Sequence, residues 1–137
     1  MTRDEILRFI NRNPVCHLAT LEEGRPRVRG MFMYRADESG LLFHTAASKS
    51  LAVQVRDGSP VEACFQDSDT QIRVSGVAET VTDPALKKEI VSARPFMQPW
   101  IEKYGFDLLV VFRVKDCAYA TWTMETNFEP TSFQALS

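Results

Sequence analysis

Val15-Cys16-His17-Leu18-Ala19-Thr20-Leu21, Glu22-Glu23-Gly24 and Arg25-Pro26-Arg27-Val28-Arg29-Gly30-Met31-Phe32-Met33-Tyr34-Arg35 follow one another without a break, and their reading decides the fold. The first segment reads as a strand, the polar triplet ending in glycine as a turn, and residues 25–35 as a long second strand. So short a connection joins antiparallel neighbours, because parallel strands need a crossover of a dozen residues or more. Working outward, Asp37-Glu38-Ser39-Gly40 is another turn and residues 41–45 a third strand. The spacing predicts a short helix over 48–56, closed by Asp57-Gly58. Residues 61–66 and 71–81 read as strands four and five around the turn 67–69. Asp83-Pro84 starts a helix, cap residue then proline, that runs to about Ala93 with Leu86, Ile90 and Ala93 inward. Pro95 and Pro99 break the connector, residues 100–104 form one turn, and residues 108–121 form a sixth strand bent near Lys115-Asp116.

Upstream, Thr2-Arg3-Asp4-Glu5 has capping-box spacing, Ile6, Leu7, Phe9 and Ile10 make one apolar stripe, and Asn13-Pro14 stops the helix. The expected fold is mainly β: a six-stranded antiparallel barrel with a few decorating α-helices. Closure removes the exposed edges that an open sheet would have to protect. We expect one domain over 1–137, with 124–137 as a C-terminal tail of weak periodicity.

Composition narrows the function. Of 137 residues, 45% are hydrophobic and 25% charged, which excludes a disordered or collagen-like chain. Sixteen basic residues against eighteen acidic ones give −2, so neither a nucleic-acid footprint nor a polybasic membrane segment is expected. The longest apolar stretch, residues 108–112, is too short to span a bilayer. The mixed-charge opening is unlike a signal peptide, and a cytoplasmic address is expected. Cys16, Cys64 and Cys117 are widely spaced, and His17 and His44 are the only histidines. No disulfide framework and no metal site is expected.

Two segments carry candidate binding chemistry. Arg25, Arg27, Arg29, Met31 and Met33 share one face of strand two. That face turns from charged to apolar along its length, as a ligand with an anionic end and a flat apolar end would require. An arginine-rich solvated face accounts for strand two taken alone. His44-Thr45-Ala46-Ala47-Ser48-Lys49-Ser50 leads from a strand end into a helix start, where backbone N–H groups, hydroxyls and Lys49 suit a phosphate. Plain capping by Ser48 is the simpler alternative. Arg29 and Lys49 can converge on one anion. Gln71 lies in register with Arg73 and Ser75, and Trp122 follows the last strand. The histidines have no visible acid–base partner, so no catalytic residue is assigned.

Gly24-Arg25-Pro26-Arg27-Val28-Arg29, Phe43-His44-Thr45, Ser48-Lys49 and Gln71 followed by Val74-Ser75-Gly76 resemble the pyridoxamine 5′-phosphate oxidase-like FMN-binding split barrels. Tyr119-Ala120-Thr121-Trp122-Thr123-Met124 is similar to the last-strand region of short bacterial members, including the nitroimidazole-resistance reductase branch. The resemblance implies a split barrel and FMN bound at a homodimer interface. It implies that Arg29 and Lys49 grip the phosphate with help from Ser48 and the local backbone, and that Val28 to Met33, including Met31, run beside the flavin. His44 and Thr45 would approach the ribityl chain or ring, Gln71 would contact the flavin, and Trp122 would come from the partner subunit. Two departures argue against vitamin B6 oxidation. The C-terminal arginine and histidine segment of the true oxidases is absent, and Tyr34 stands where the family has a substrate-contacting lysine. The reading is therefore an FMN-dependent oxidoreductase acting on an unidentified small molecule. The alternative is a non-catalytic or stress-related protein that binds flavin, haem or a deazaflavin.

Overall fold

The computed structural model describes residues 1–136. In chain order it contains α1 (Arg3–Arg12), β1 (Val15–Glu22), β2 (Arg25–Phe32), β3 (Arg35–Asp37), β4 (Gly40–Ala46), α2 (Leu51–Gln54), β5 (Pro60–Asp67), β6 (Thr70–Val81), α3 (Pro84–Ala93), α4 (Gln98–Tyr104), β7 (Leu109–Thr123) and β8 (Gln134–Ala135). The strands pair in the order β2-β1-β5-β6-β7-β4-β3, with β8 on β7. Every pairing is antiparallel.

The two ends of this path, β2 and β3, are neighbours in sequence. The Met33 N–H donates to Pro14 O at 2.9 Å, on the β1 side, and the Tyr34 N–H donates to Leu42 O at 2.9 Å, on the β4 side. Two successive residues therefore pair on opposite sides of a seam that is closed by covalent chain rather than by a strand ladder. This is a split barrel. It corrects the single long strand over 25–35 and, with β8, the expected six strands to eight.

Side-chain alternation explains the layers. Leu18, Phe43, Phe65, Ile72 and Phe112 are fully buried and fill the barrel, with Phe43 and Phe112 stacked at 5.4 Å between ring centres. Ile6, Phe9 and Ile10 of α1 join this core, and Thr2 caps the helix in a capping box, as expected. Asn11 then mimics a strand against β3, donating to Ala36 O and accepting from the Ala36 N–H, both at 2.9 Å. A second cluster lies outside the barrel wall, where Leu42, Leu109 and Val111 meet Ile90, Val91, Met97 and Ile101. Strand β4 is thus buried on both faces, which is why Leu41-Leu42-Phe43 reads as a continuous apolar run.

Other expectations need adjusting. Helix α3 starts at its Asp83 cap as expected but buries Val91 rather than Ala93, which is exposed. The helix expected over 48–56 is one turn, Leu51–Gln54, and Ser50 at its start makes no side-chain cap bond. The bend near Lys115-Asp116 is present: the β6–β7 register shifts between Ser75 and Val77, and Asp116 has φ +53°. Gly76 is required there, since a Cβ would lie 2.5 Å from Lys115 O. The tail returns to the barrel through β8, and Leu136, 5% exposed, enters the inner core.

Candidate functional site

The principal cavity, about 1180 Å³, opens at the seam. One wall is Arg29, Gly30, Met31 and Phe32 of β2. Four consecutive residues can line one space only where it runs along the edge of the strand, because alternate side chains leave opposite faces. The end of β4 supplies His44, Thr45 and Ala46, the following turn Ser48, Lys49 and Ser50, and the roof is built from Arg94, Phe96, Met97, Trp100, Ile101 and Tyr104. No aspartate or glutamate lines it.

Arg29 is fixed from behind. Its Nη1 donates to Leu18 O at 3.0 Å and to Thr20 Oγ1 at 2.8 Å, and its Nη2 donates to Gln54 Oε1 at 2.6 Å. Gln54, buried on α2, also accepts from the Thr20 hydroxyl at 2.6 Å and donates to Glu22 Oε2 at 3.0 Å. The single turn of α2 is thereby tied to β1 and β2, which sets the position of the Ser48–Lys49 turn. Burial draws the Arg29 pKa below its ordinary value, with the Glu22 carboxylate opposing the shift. Of five guanidinium N–H groups, these contacts leave the Nε–H and one on Nη2 for a ligand.

Arg94 holds the seam. It is 7% exposed, and its Nη1 and Nη2 donate to Phe32 O at 3.0 Å and Met33 O at 2.8 Å. Its guanidinium also lies 3.9 Å from the Phe32 ring centre. Nη1 is 2.6 Å from His44 Nε2. An arginine is always a donor, so Nε2 accepts and the neutral ring carries its proton on Nδ1. Burial, then Arg94 and Lys49, depress the His44 pKa to about 4. His44 is a neutral wall residue and no proton donor near pH 7.

The cavity therefore gathers Arg29, Met31, His44, Thr45, Ser48 and Lys49 of the residues expected from sequence. Gln71 and Trp122 lie elsewhere, directly opposite each other on β6 and β7, where the Trp122 Nε1–H donates to Asn127 Oδ1 at 2.9 Å. Met33, placed on the ligand face by alternation, is 1% exposed and belongs to the core. Tyr34 donates to Glu89 Oε2 at 2.6 Å and does not line the cavity. Gln54, Phe96, Trp100 and Tyr104 were not anticipated. Phe96, Trp100 and Tyr104 recur every four residues, a helical spacing that could have flagged the last three. Among the described residues no cluster of His, Cys, Asp or Glu is placed to hold a metal. None of their helices is long and apolar enough to cross a membrane.

The profile of the pyridoxamine 5′-phosphate oxidase family matches residues 2–116. The chain belongs to this family. Among solved structures, a NimC/NimA family protein from Clostridium acetobutylicum is similar at 18% identity and TM-score 0.74, covering 96% of this chain and 91% of that one. The FAD and haem binding protein from Mycobacterium smegmatis is similar at 11% identity and TM-score 0.69, covering 98% and 82%. The haem storage protein HutZ from Vibrio cholerae is similar at 17% identity and TM-score 0.59, covering 84% and 90%. At such identities these likenesses establish the fold alone. A search of curated proteins finds no match.

Proposed function

We propose that this family member is an FMN-binding flavoprotein, an oxidoreductase that passes electrons to a small molecule as a cytoplasmic homodimer. The observation that carries this reading is the composition of the cavity: Arg29, Lys49, Ser48 and Ser50 share it with the open strand edge at Gly30, Met31 and Phe32, and no carboxylate lines it. That donor set fits a phosphate joined to a flat ring system. Its family is usually flavin-binding and generally dimeric. Bound FMN would supply the electron-transfer chemistry.

The chain's own residues would bind and orient. Lys49 and the two free N–H groups of Arg29 hold the phosphate, with Ser48 donating beside them. Met31 and the open backbone at Gly30, where a Cβ would meet nothing within 4 Å, leave room along β2 for the ring system. Neutral His44 and Thr45 border the ribityl chain. Gln71 and Trp122 would meet the flavin of the opposite subunit. Val15, Leu21, Val28 and Phe32 are 48–71% exposed on one face of the β1–β2 hairpin, around His17 and Gly30, large apolar side chains of the kind an interface covers. Cys16, Cys64 and Cys117 are all free thiols, in keeping with a reducing compartment. Oxidation of pyridoxine 5′-phosphate is not expected, because Arg94 is committed to backbone carbonyls and Tyr34 to Glu89.

The absorption spectrum of purified protein supplemented with FMN, followed through reduction by dithionite and reoxidation by candidate acceptors, tests the reading. A bound flavin that bleaches and recovers supports it. A Soret band from tightly bound haem with no uptake of FMN overturns it.

A further inference from the structure

The single turn Pro95–Met97 and helix α4 that follows it carry two rows of apolar side chains, and packing uses only one. Met97 and Ile101 are 6% and 8% exposed and bury against the outer wall of the barrel. The neighbouring row, Phe96, Trp100 and Tyr104, is 54%, 53% and 58% exposed yet lines the cavity. Three large rings held half-open to water oppose the hydrophobic effect unless something covers them. Lys103 lies 5.2 Å from the centre of the Tyr104 ring and covers part of it. Phe96 and Trp100 meet edge to face, with ring centres 6.3 Å apart and planes at 77°. They form a corner in which a flat molecule can stack on one ring and present its edge to the other.

The charges around this corner restrict what fits. A cationic ligand finds no carboxylate in the cavity. An anionic one finds Arg94 held by Phe32 O, Met33 O and His44, and Arg29 and Lys49 assigned to the cofactor phosphate. The cavity also exceeds the roughly 300–1,000 Å³ typical of a site for one drug-sized ligand.

We propose that the Phe96–Trp100 corner is the substrate's half of the cavity and takes a flat, uncharged aromatic ring. This rests on the flavin reading and names the substrate class for the same site. The test uses the FMN-loaded protein, with calorimetric titration of three probes of equal ring size: 2-naphthamide (neutral), 2-naphthoate (anionic) and 2-naphthylmethylammonium (cationic). The neutral probe should bind best. Trp100→Ala should weaken it about tenfold, and Trp100→Phe should restore most of the loss. FMN affinity and the light-scattering mass should be unchanged in both variants. Tighter binding of either charged probe, or equal probe binding by wild type and Trp100→Ala, overturns the proposal. So does an equal loss of FMN affinity in Trp100→Ala, which assigns the rings to the cofactor. Dissociation of the dimer overturns it as well, by assigning them to the interface. The titrations are repeated without FMN. Failure to take up flavin contradicts the flavin reading, while a Trp100-dependent preference for the neutral probe in the flavin-free protein still upholds the corner as a ring site.

Discussion

Arg94→Met removes the side chain that spans the barrel seam. The lost contacts are the donations to Phe32 O and Met33 O and the contact to His44 Nε2. A hydrogen bond from a charged donor contributes about 1.5–3 kcal/mol net, and losing the two to Phe32 O and Met33 O together costs about 3–5 kcal/mol. We take the latter as the expected loss, since methionine refills part of the volume but satisfies neither carbonyl. At about 3 °C per kcal/mol for a domain near this size, Tm should fall by roughly 10–15 °C. Arg94→Lys keeps the charge but lacks the fork, and should fall between wild type and Arg94→Met. The same substitution has a local signature at His44. Burial is the largest cause of its depressed pKa and Arg94 the next, so the pKa should rise above about 4 without returning fully to 6.5. Scanning calorimetry and an NMR titration of the His44 Cε1 proton read the two effects separately. A Tm within about 3 °C of wild type in Arg94→Met, or a His44 that still titrates near 4, would refute this account of the seam.

Stability should depend on His44 in acid. Above pH 6.5 the ring is neutral whether folded or not, and its contribution is fully present. Between about 6.5 and 4 the unfolded chain takes up a proton that the folded one refuses, so at most about 3 kcal/mol is lost as pH falls. His44→Gln should flatten that part of the profile, as followed by urea midpoints at pH 7, 5.5 and 4.5. Gln54→Leu leaves the Arg29 Nη2 and the Thr20 hydroxyl without their acceptor. It should destabilise by about 1–3 kcal/mol in chemical denaturation and weaken FMN more than riboflavin by freeing Arg29.

Most of the barrel was legible because its strands are amphipathic and its turns short. The seam was harder. Met31 and Met33 face inward, and the next inward residue is Ala36, so the alternation slips by one between Met33 and Ala36. Read as one strand, residues 25–35 hide that slip, since Tyr34 and Arg35 both suit a strand. Strand β8 escaped because it is two residues long and defined by a partner 15 residues away, Tyr119 to Gln134, a pairing no local pattern encodes. At the site, His44, Ser48 and Lys49 were legible because they sit at a strand end and the turn after it, where polar side chains need a reason, and Arg29 because it sits where a strand face turns from charged to apolar. Gln54 and Arg94 were not. Their roles come from groups 25 to 62 residues away, including Arg29, Phe32 O and Met33 O, and in sequence each is one more polar residue at the end of a helix.

The central claim is that the cavity at the seam holds a flavin by its phosphate. The measurement that tests it most directly is the affinity of wild type and Lys49→Ala for FMN and for riboflavin, which differ only in that phosphate. Wild type should bind FMN at least about tenfold more tightly than riboflavin, as expected if one or more charge-assisted hydrogen bonds reach the phosphate. Lys49→Ala should remove most of that advantage and leave riboflavin binding unchanged. Equal affinities of wild type for FMN and riboflavin, or a loss in Lys49→Ala shared equally by both, would contradict it.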